Sequence, residues 1–210
     1  MKNMRQRLLK ESHLEVREDS EGPKITGYGI VYNQEARLWD DLFEIIRPGA
    51  AHDVLQGAPD IRCAFNHSPD HIIGRTKSGT LTVEEDEWGV RYTATPPDTQ
   101  WCRDLLQSIR RGDVDGSSFT FAVEPQDETV KRQEDNTYLR EVRRLAALGE
   151  MGPVTWPAYE GTTAQVRSAQ DEYDSFTEQL RAQEDSEEIA ARQRALGLRR
   201  KRLDIEDKTL

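Results

Sequence analysis

Two adjacent serines, Ser117 and Ser118, stand at the mouth of the apolar stretch Phe119-Thr120-Phe121-Ala122-Val123. A serine hydroxyl is almost wholly protonated at neutral pH and becomes a nucleophile only beside a base. The chain has four histidines. His13 lies in a charged N-terminal arm, and His52 follows Pro48-Gly49-Ala50-Ala51 at the start of a short helix. His67 ends the strand-like run Ile61-Arg62-Cys63-Ala64-Phe65 and opens a polar turn, and His71 lies just past that turn. A rigid strand end holds an imidazole well, so His67 leads and His71 competes. A third group is needed to fix the imidazole tautomer. Between Leu145 and Tyr159 one acidic residue, Glu150, stands in otherwise apolar or uncharged surroundings. Judged alone, Gly116-Ser117-Ser118 reads first as a turn and each histidine first as a surface residue, while Glu150 reads equally as a structural carboxylate.

The elements that would position these groups follow from periodicity. Thr99 to Arg111 reads as a helix, with Asp98 placed to cap its start and Gly112 to end it. Phe119, Phe121 and Val123 alternate with Thr120 and Ala122 as a half-buried strand does. A one-residue shift there would turn the other serine toward the site, so Ser117 stays open as the nucleophile. Further strands are expected near residues 25–32, 42–47, 60–66, 71–76, 80–84, 88–95, 128–132, 137–145 and 150–155. Many short strands with one or two helices predict a mainly β fold, closed or nearly closed into a barrel.

Composition narrows the class. Of 210 residues, 35% are hydrophobic and 32% charged, lean enough that part of the chain is expected to be solvated. No apolar run approaches the ~20 residues that span a bilayer, and the charged N-terminus lacks a secretory apolar region. The net charge of −10 argues against a general nucleic-acid binder. Cys63 and Cys102 fall in a strand and a helix, as reduced core residues rather than a disulfide or metal pair. Cys63 is badly placed to meet His67, four positions further along the same strand. Arg143 and Arg144, in the cluster Arg140-Glu141-Val142-Arg143-Arg144, are candidates for oxyanion stabilisation; their alternative is a solvated face. From 168 to 210 the chain is charged and glutamine-rich. Tyr173, Phe176 and Leu180 form a thin helical stripe, and Ile189, Leu196 and Leu203 recur every seven residues. This tail is expected to be helical or disordered.

Taken in order, five segments resemble a known family. They are Ile25-Thr26-Gly27-Tyr28-Gly29-Ile30-Val31-Tyr32-Asn33, then Glu44-Ile45-Ile46-Arg47-Pro48-Gly49-Ala50, Asn66-His67, Gly116 to Phe121, and Glu150 to Ala158. The set resembles the prohead maturation proteases of tailed bacteriophages, serine endopeptidases related in fold to the herpesvirus protease assemblin. The resemblance covers about residues 25–167. It departs from the family at Thr120, where glycine is common, at Ser68 after the histidine, and at Met151-Gly152 after the acid.

The resemblance implies an assemblin-like barrel with His67 as general base, Ser118 as nucleophile and Glu150 as third member. It implies no metal or organic cofactor. As substrates it implies scaffold protein or the scaffold-like region of the major capsid protein, and the protease itself, inside the assembling prohead in the bacterial cytoplasm. No specific nucleic acid and no membrane are implied, and a homo-oligomer is left open. The organisation expected is a charged, mobile arm at 1–24, a protease domain at 25–167 and a tail at 168–210, scaffold-like or removed by self-cleavage. Two other classes remain: a non-catalytic capsid-assembly or scaffold-binding factor acting through the tail, and a hydrolase of small acyl substrates. The latter lacks the Gly-x-Ser-x-Gly elbow.

Overall fold

The computed structural model describes residues 4–9 and 12–155, and positions 176, 178, 180, 189, 193 and 194. The chain divides into two compact units, Met1–Ala158 and Tyr159–Leu210. Among the described residues, every strand belongs to the first unit. Its first sheet has the order β1 (Arg5–Leu9), β10 (Gly116–Ala122), β13 (Ala147–Val154), β6 (Arg62–Ala64) and β7 (Ile72–Arg75). A second runs β11 (Glu128–Arg132), β12 (Tyr138–Val142), β5 (Leu42–Ile46) and β4 (Glu35–Arg37). The third runs β2 (Glu15–Asp19), β3 (Gly22–Val31), β9 (Gly89–Ala94) and β8 (Leu81–Glu85). Two helices, α1 (His52–Gln56) and α2 (Gln100–Arg111), interrupt them.

Mainly β with few helices is therefore right, but the closed or nearly closed barrel is not. Three separate sheets are present, and none is closed or strongly curled. Closure requires the first and last strands of one sheet to hydrogen-bond. Period-two alternation marks where strands lie without saying which edges pair, so it could not distinguish a barrel from three sheets around one core. That core draws on all three sheets: Phe119, Phe121, Met151 and Cys63 from the first, Ile46 and Val142 from the second, Ile25, Val90 and Tyr92 from the third. Cys63 and Cys102 are both buried free thiols.

Each strand expected from alternation has a counterpart within a few residues, and three more exist. Residues 1–24, read as an arm, carry β1 and β2, each paired antiparallel with a longer strand. Their arginines and glutamates hid them from a hydrophobic pattern. Helix α2 buries Cys102, Leu105, Leu106 and Ile109, one stripe at helical spacing. Gly112 ends it in the left-handed conformation, φ 78°, and returns its N–H to the Ile109 carbonyl. Asp98 does not cap: Thr99 is the N-cap residue, and Asp98 pairs with Arg103. In the tail, positions 176, 180 and 189 are helical, with Phe176 buried and Ile189 exposed. Tyr173, Leu196 and Leu203 lie outside the described residues.

Two packing details bear on stability. On β12, Glu141 accepts hydrogen bonds from Arg47 and Lys131, and these cations lower its carboxyl from 4.5 to about 2. A carboxylate depressed on folding contributes stability above its ordinary value and loses it as pH falls toward the folded one. Urea titrations should show Glu141→Gln flattening the loss of stability between pH 4.5 and pH 2. The difference should be modest, because Lys131 is 62% exposed and its charge is screened. On β13, a Cβ added to Gly152 would lie 2.3 Å from the Ala64 carbonyl oxygen and 3.0 Å from its nitrogen. Backbone rather than a flexible side chain would have to move. Gly152→Ala should destabilise the chain by about 1–3 kcal/mol in the same titration.

Candidate active site

The first sheet determines which residues meet. Strand β10 pairs antiparallel with β13, placing Ser118 opposite Gly152 and Thr120 opposite Glu150. Glu150 is thus two residues from the partner of Ser118, a diagonal neighbour on the same face. Strand β13 then pairs in parallel with β6, placing Met151 opposite Cys63. Strand β6 ends at Ala64, and a 3-10 turn, Phe65–His67, carries the chain onward. Because Gly152 has no side chain, the Ala64 backbone can lie against it, and the turn delivers His67 above the face that holds Ser118 and Glu150.

The resulting distances are short. His67 Nε2 lies 2.6 Å from Ser118 Oγ, and His67 Nδ1 lies 2.9 Å from Glu150 Oε1. Direction and distance disagree in the second contact: both atoms are enclosed, yet neither completes a well-directed hydrogen bond. Distance carries more weight here, since an enclosed ring nitrogen requires a partner and the nearby carboxylate supplies one. Catalytic hydrogen bonds are often poorly aligned without substrate.

The backbone of this turn is unusual. Asn66 and His67 both adopt positive φ, 53° and 56°, a region that non-glycine residues occupy at a cost. Asn66 tolerates it better than most residues and is tied down. Its Nδ2 donates to Thr155 Oγ1 at 2.9 Å, and its Oδ1 accepts the Thr155 N–H at 2.9 Å. The turn is thereby pinned to the residue following β13. The sequence showed Asn66 only as the neighbour of His67. Its signal was its residue type, since asparagine is enriched where the backbone is left-handed.

The competing residues lie elsewhere. Ser117 points to the other face of β10, where its hydroxyl is 2.8 Å from Tyr92 Oη in the core. His71 Nδ1 is 3.0 Å from Ser68 Oγ, and its ring meets Trp101 edge-on at 4.9 Å. His13 lies against Tyr28 and Trp88, and His52 faces Glu85 at 3.4 Å. Burial, with the Glu150 charge second, pushes the Cys63 thiol well up, against a thiolate role. Arg143 donates to Thr129 and Glu141, and Arg144 pairs with Asp53. Among the described residues, no three His, Cys, Asp or Glu side chains converge as a metal ion would require. No described helix is long and apolar enough to cross a membrane.

One neighbour of the serine was not anticipated. Ser118 is fully buried, and its hydroxyl donates to the Arg7 carbonyl of β1 at 2.9 Å. The same hydroxyl therefore faces an imidazole on one side and a peptide carbonyl on the other.

An arrangement of serine, imidazole and carboxylate within hydrogen-bonding reach is suited to acyl transfer. Among solved structures, that of the bacteriophage T4 capsid assembly protease is similar at 9% identity. The match covers 69% of this chain and 98% of that one, with a TM-score of 0.33. No curated protein matches. The family model of the caudovirus prohead serine proteases matches residues 12–176, most of the chain, and the protein belongs to that family.

Proposed function

We propose that the chain is a serine endopeptidase of prohead maturation in which Ser118 is the nucleophile, His67 the general base and Glu150 the group that orients His67. The observation carrying this reading is the 2.6 Å separation of His67 Nε2 and Ser118 Oγ, with Glu150 Oε1 2.9 Å from the other ring nitrogen. In the first step the Ser118 proton passes to Nε2 as Oγ bonds to the scissile carbonyl carbon. Backbone amides beside the serine stabilise the oxyanion. The carbon–nitrogen bond then breaks, and the imidazolium returns the proton to the leaving amine. Water, deprotonated by His67, hydrolyses the acyl ester and restores the hydroxyl. Glu150 stabilises the imidazolium present in both steps without itself taking the proton.

Family membership directs the choice of substrate toward capsid components. We assign scaffold protein, or the scaffold-like region of the major capsid protein, and the protease itself as substrates. Cleavage takes place within the assembling prohead in the host cytoplasm. Hydrolysis makes maturation irreversible and releases fragments from the shell.

Mass spectrometry of the incubated protein with the capsid protein tests the assignment. Wild type and Ser117→Ala should trim over time, while Ser118→Ala should stay intact, with turnover lower by roughly 10^4-fold or more. Trimming that stops only in Ser117→Ala would move the nucleophile by one residue. If all three stayed intact, a non-catalytic assembly role would replace the protease reading. Asn66→Ala should lower kcat by about 10- to 100-fold with little change in KM, since it displaces the imidazole rather than a substrate contact. An equal loss in Asn66→Ala and Asn66→Asp, tracking thermal stability, would show that Asn66 is only structural.

A further inference from the structure

The edge of β10 is occupied by the chain's own N-terminal strand, in a manner that resembles a bound peptide. Strand β1 runs antiparallel to β10, with Leu8 opposite Ser118 and Arg7 opposite Phe119. An extended peptide added to a sheet edge gains affinity from main-chain hydrogen bonds and specificity from pockets for alternate side chains. Both features are present. The Arg7 carbonyl receives the Ser118 hydroxyl. The Arg7 guanidinium forks onto Glu44 of β5, with contacts of 2.6 and 3.0 Å, and lies 5.4 Å from the centre of the Phe121 ring. Two residues earlier, Arg5 donates to Glu128 of β11 at 2.9 Å.

These carboxylates belong to the body of the fold, not to β1. Glu44 and Glu128 are 2% and 7% exposed, and both face Arg140 of β12 at the longer distances of 3.4 and 3.8 Å. With β1 displaced, each would lose its close cation. Removing one partner of a buried ion pair is costly. A strand that takes the place of β1 is therefore favoured if it brings basic side chains at the same two positions.

Resting on the reading of Ser118 as nucleophile, we infer that the β10 edge is the substrate-binding edge. Glu44 and Glu128 select arginine or lysine at the residue whose carbonyl faces the serine and two residues before it, and β1 is a resident occupant that blocks the site. The block has two parts. Polypeptide cannot reach a serine that is fully buried, and β1 lies along the strand edge beside it. The hydroxyl also has one hydrogen, and the Arg7 carbonyl competes with His67 for it. The occupant that replaces β1 is a segment of the substrate polypeptide.

Binding tests this without requiring turnover. In the full-length Ser118→Ala chain, β1 is displaced by Arg5→Glu with Arg7→Glu, or independently by Leu9→Pro, which removes the N–H of a residue whose backbone faces β10. The probe is a fluorescein-labelled peptide of residues 4–9, compared with the same peptide carrying glutamine at both arginine positions. By fluorescence anisotropy, the arginine peptide should bind both displaced variants at least about 10-fold more tightly than the glutamine peptide does. It should bind the chain with native β1 at least about 10-fold more weakly than either variant. Equal affinity for the two peptides, or no binding to either displaced variant, overturns the inference. The cut sites that the chain with Ser118 intact and β1 displaced by Arg5→Glu with Arg7→Glu makes in a peptide library give a separate reading. Arginine or lysine should be enriched immediately before the cut. Cutting without that enrichment overturns the selectivity while leaving the protease reading intact. An absence of cutting overturns the protease reading, and the binding result still decides who occupies the edge.

Discussion

The site depends on the pairing of β13 with two different neighbours, antiparallel to β10 on one side and parallel to β6 on the other. The antiparallel register puts Glu150 diagonal to Ser118, so the serine and the carboxylate share a face. The parallel register brings the end of β6 alongside, and with it the turn to His67. Gly152 lies where the two arrangements meet, because the Ala64 backbone occupies the space a side chain would fill. Met151 fills the core beneath, fully buried, while Gly152 leaves room above.

Rigidity follows from that arrangement. Strand β10 is buried along almost its whole length, with the Phe119 and Phe121 rings stacked at 5.1 Å. Ser117 is anchored to Tyr92 on the reverse face. The two serines are consecutive in a strand and so are held on opposite sides, one in the core and one beside the imidazole. On the histidine side, the strained backbone of Asn66 and His67 is held by the Asn66 contacts with Thr155. Positioning an imidazole by its backbone leaves its ring less freedom than a relaxed loop would allow, which suits the general-base role proposed for it.

Charge is distributed with similar economy. The acidic chain concentrates part of its buried charge in a cluster of Arg5, Arg7, Arg140, Glu44 and Glu128 that links the first sheet to the second. Such clusters tolerate burial only when complete, so β1 is held by charge as well as by its ladder. Its Arg7 carbonyl also receives the Ser118 hydroxyl. An edge strand, a buried carboxylate pair and the serine hydroxyl thus form one connected set of contacts.

Local pattern in the sequence located the ten strands with hydrophobic alternation, helix α2 and the glycine that ends it. It marked His67, Ser118 and Glu150 as residues in suitable surroundings, through a strand end, a small-residue strand mouth and an isolated carboxylate. Strands β1 and β2 escaped because their charged side chains are paired through tertiary contacts or exposed, and neither condition leaves a hydrophobic period. The barrel expectation failed for a related reason: alternation reports which face of a strand is buried, not which edge finds a partner. Whether Ser117 or Ser118 faces the imidazole, whether His67 or His71 approaches it, and what covers the serine depend on strand register. Register is a relation between residues as distant as Arg7 and Ser118, so only the tertiary structure decided it.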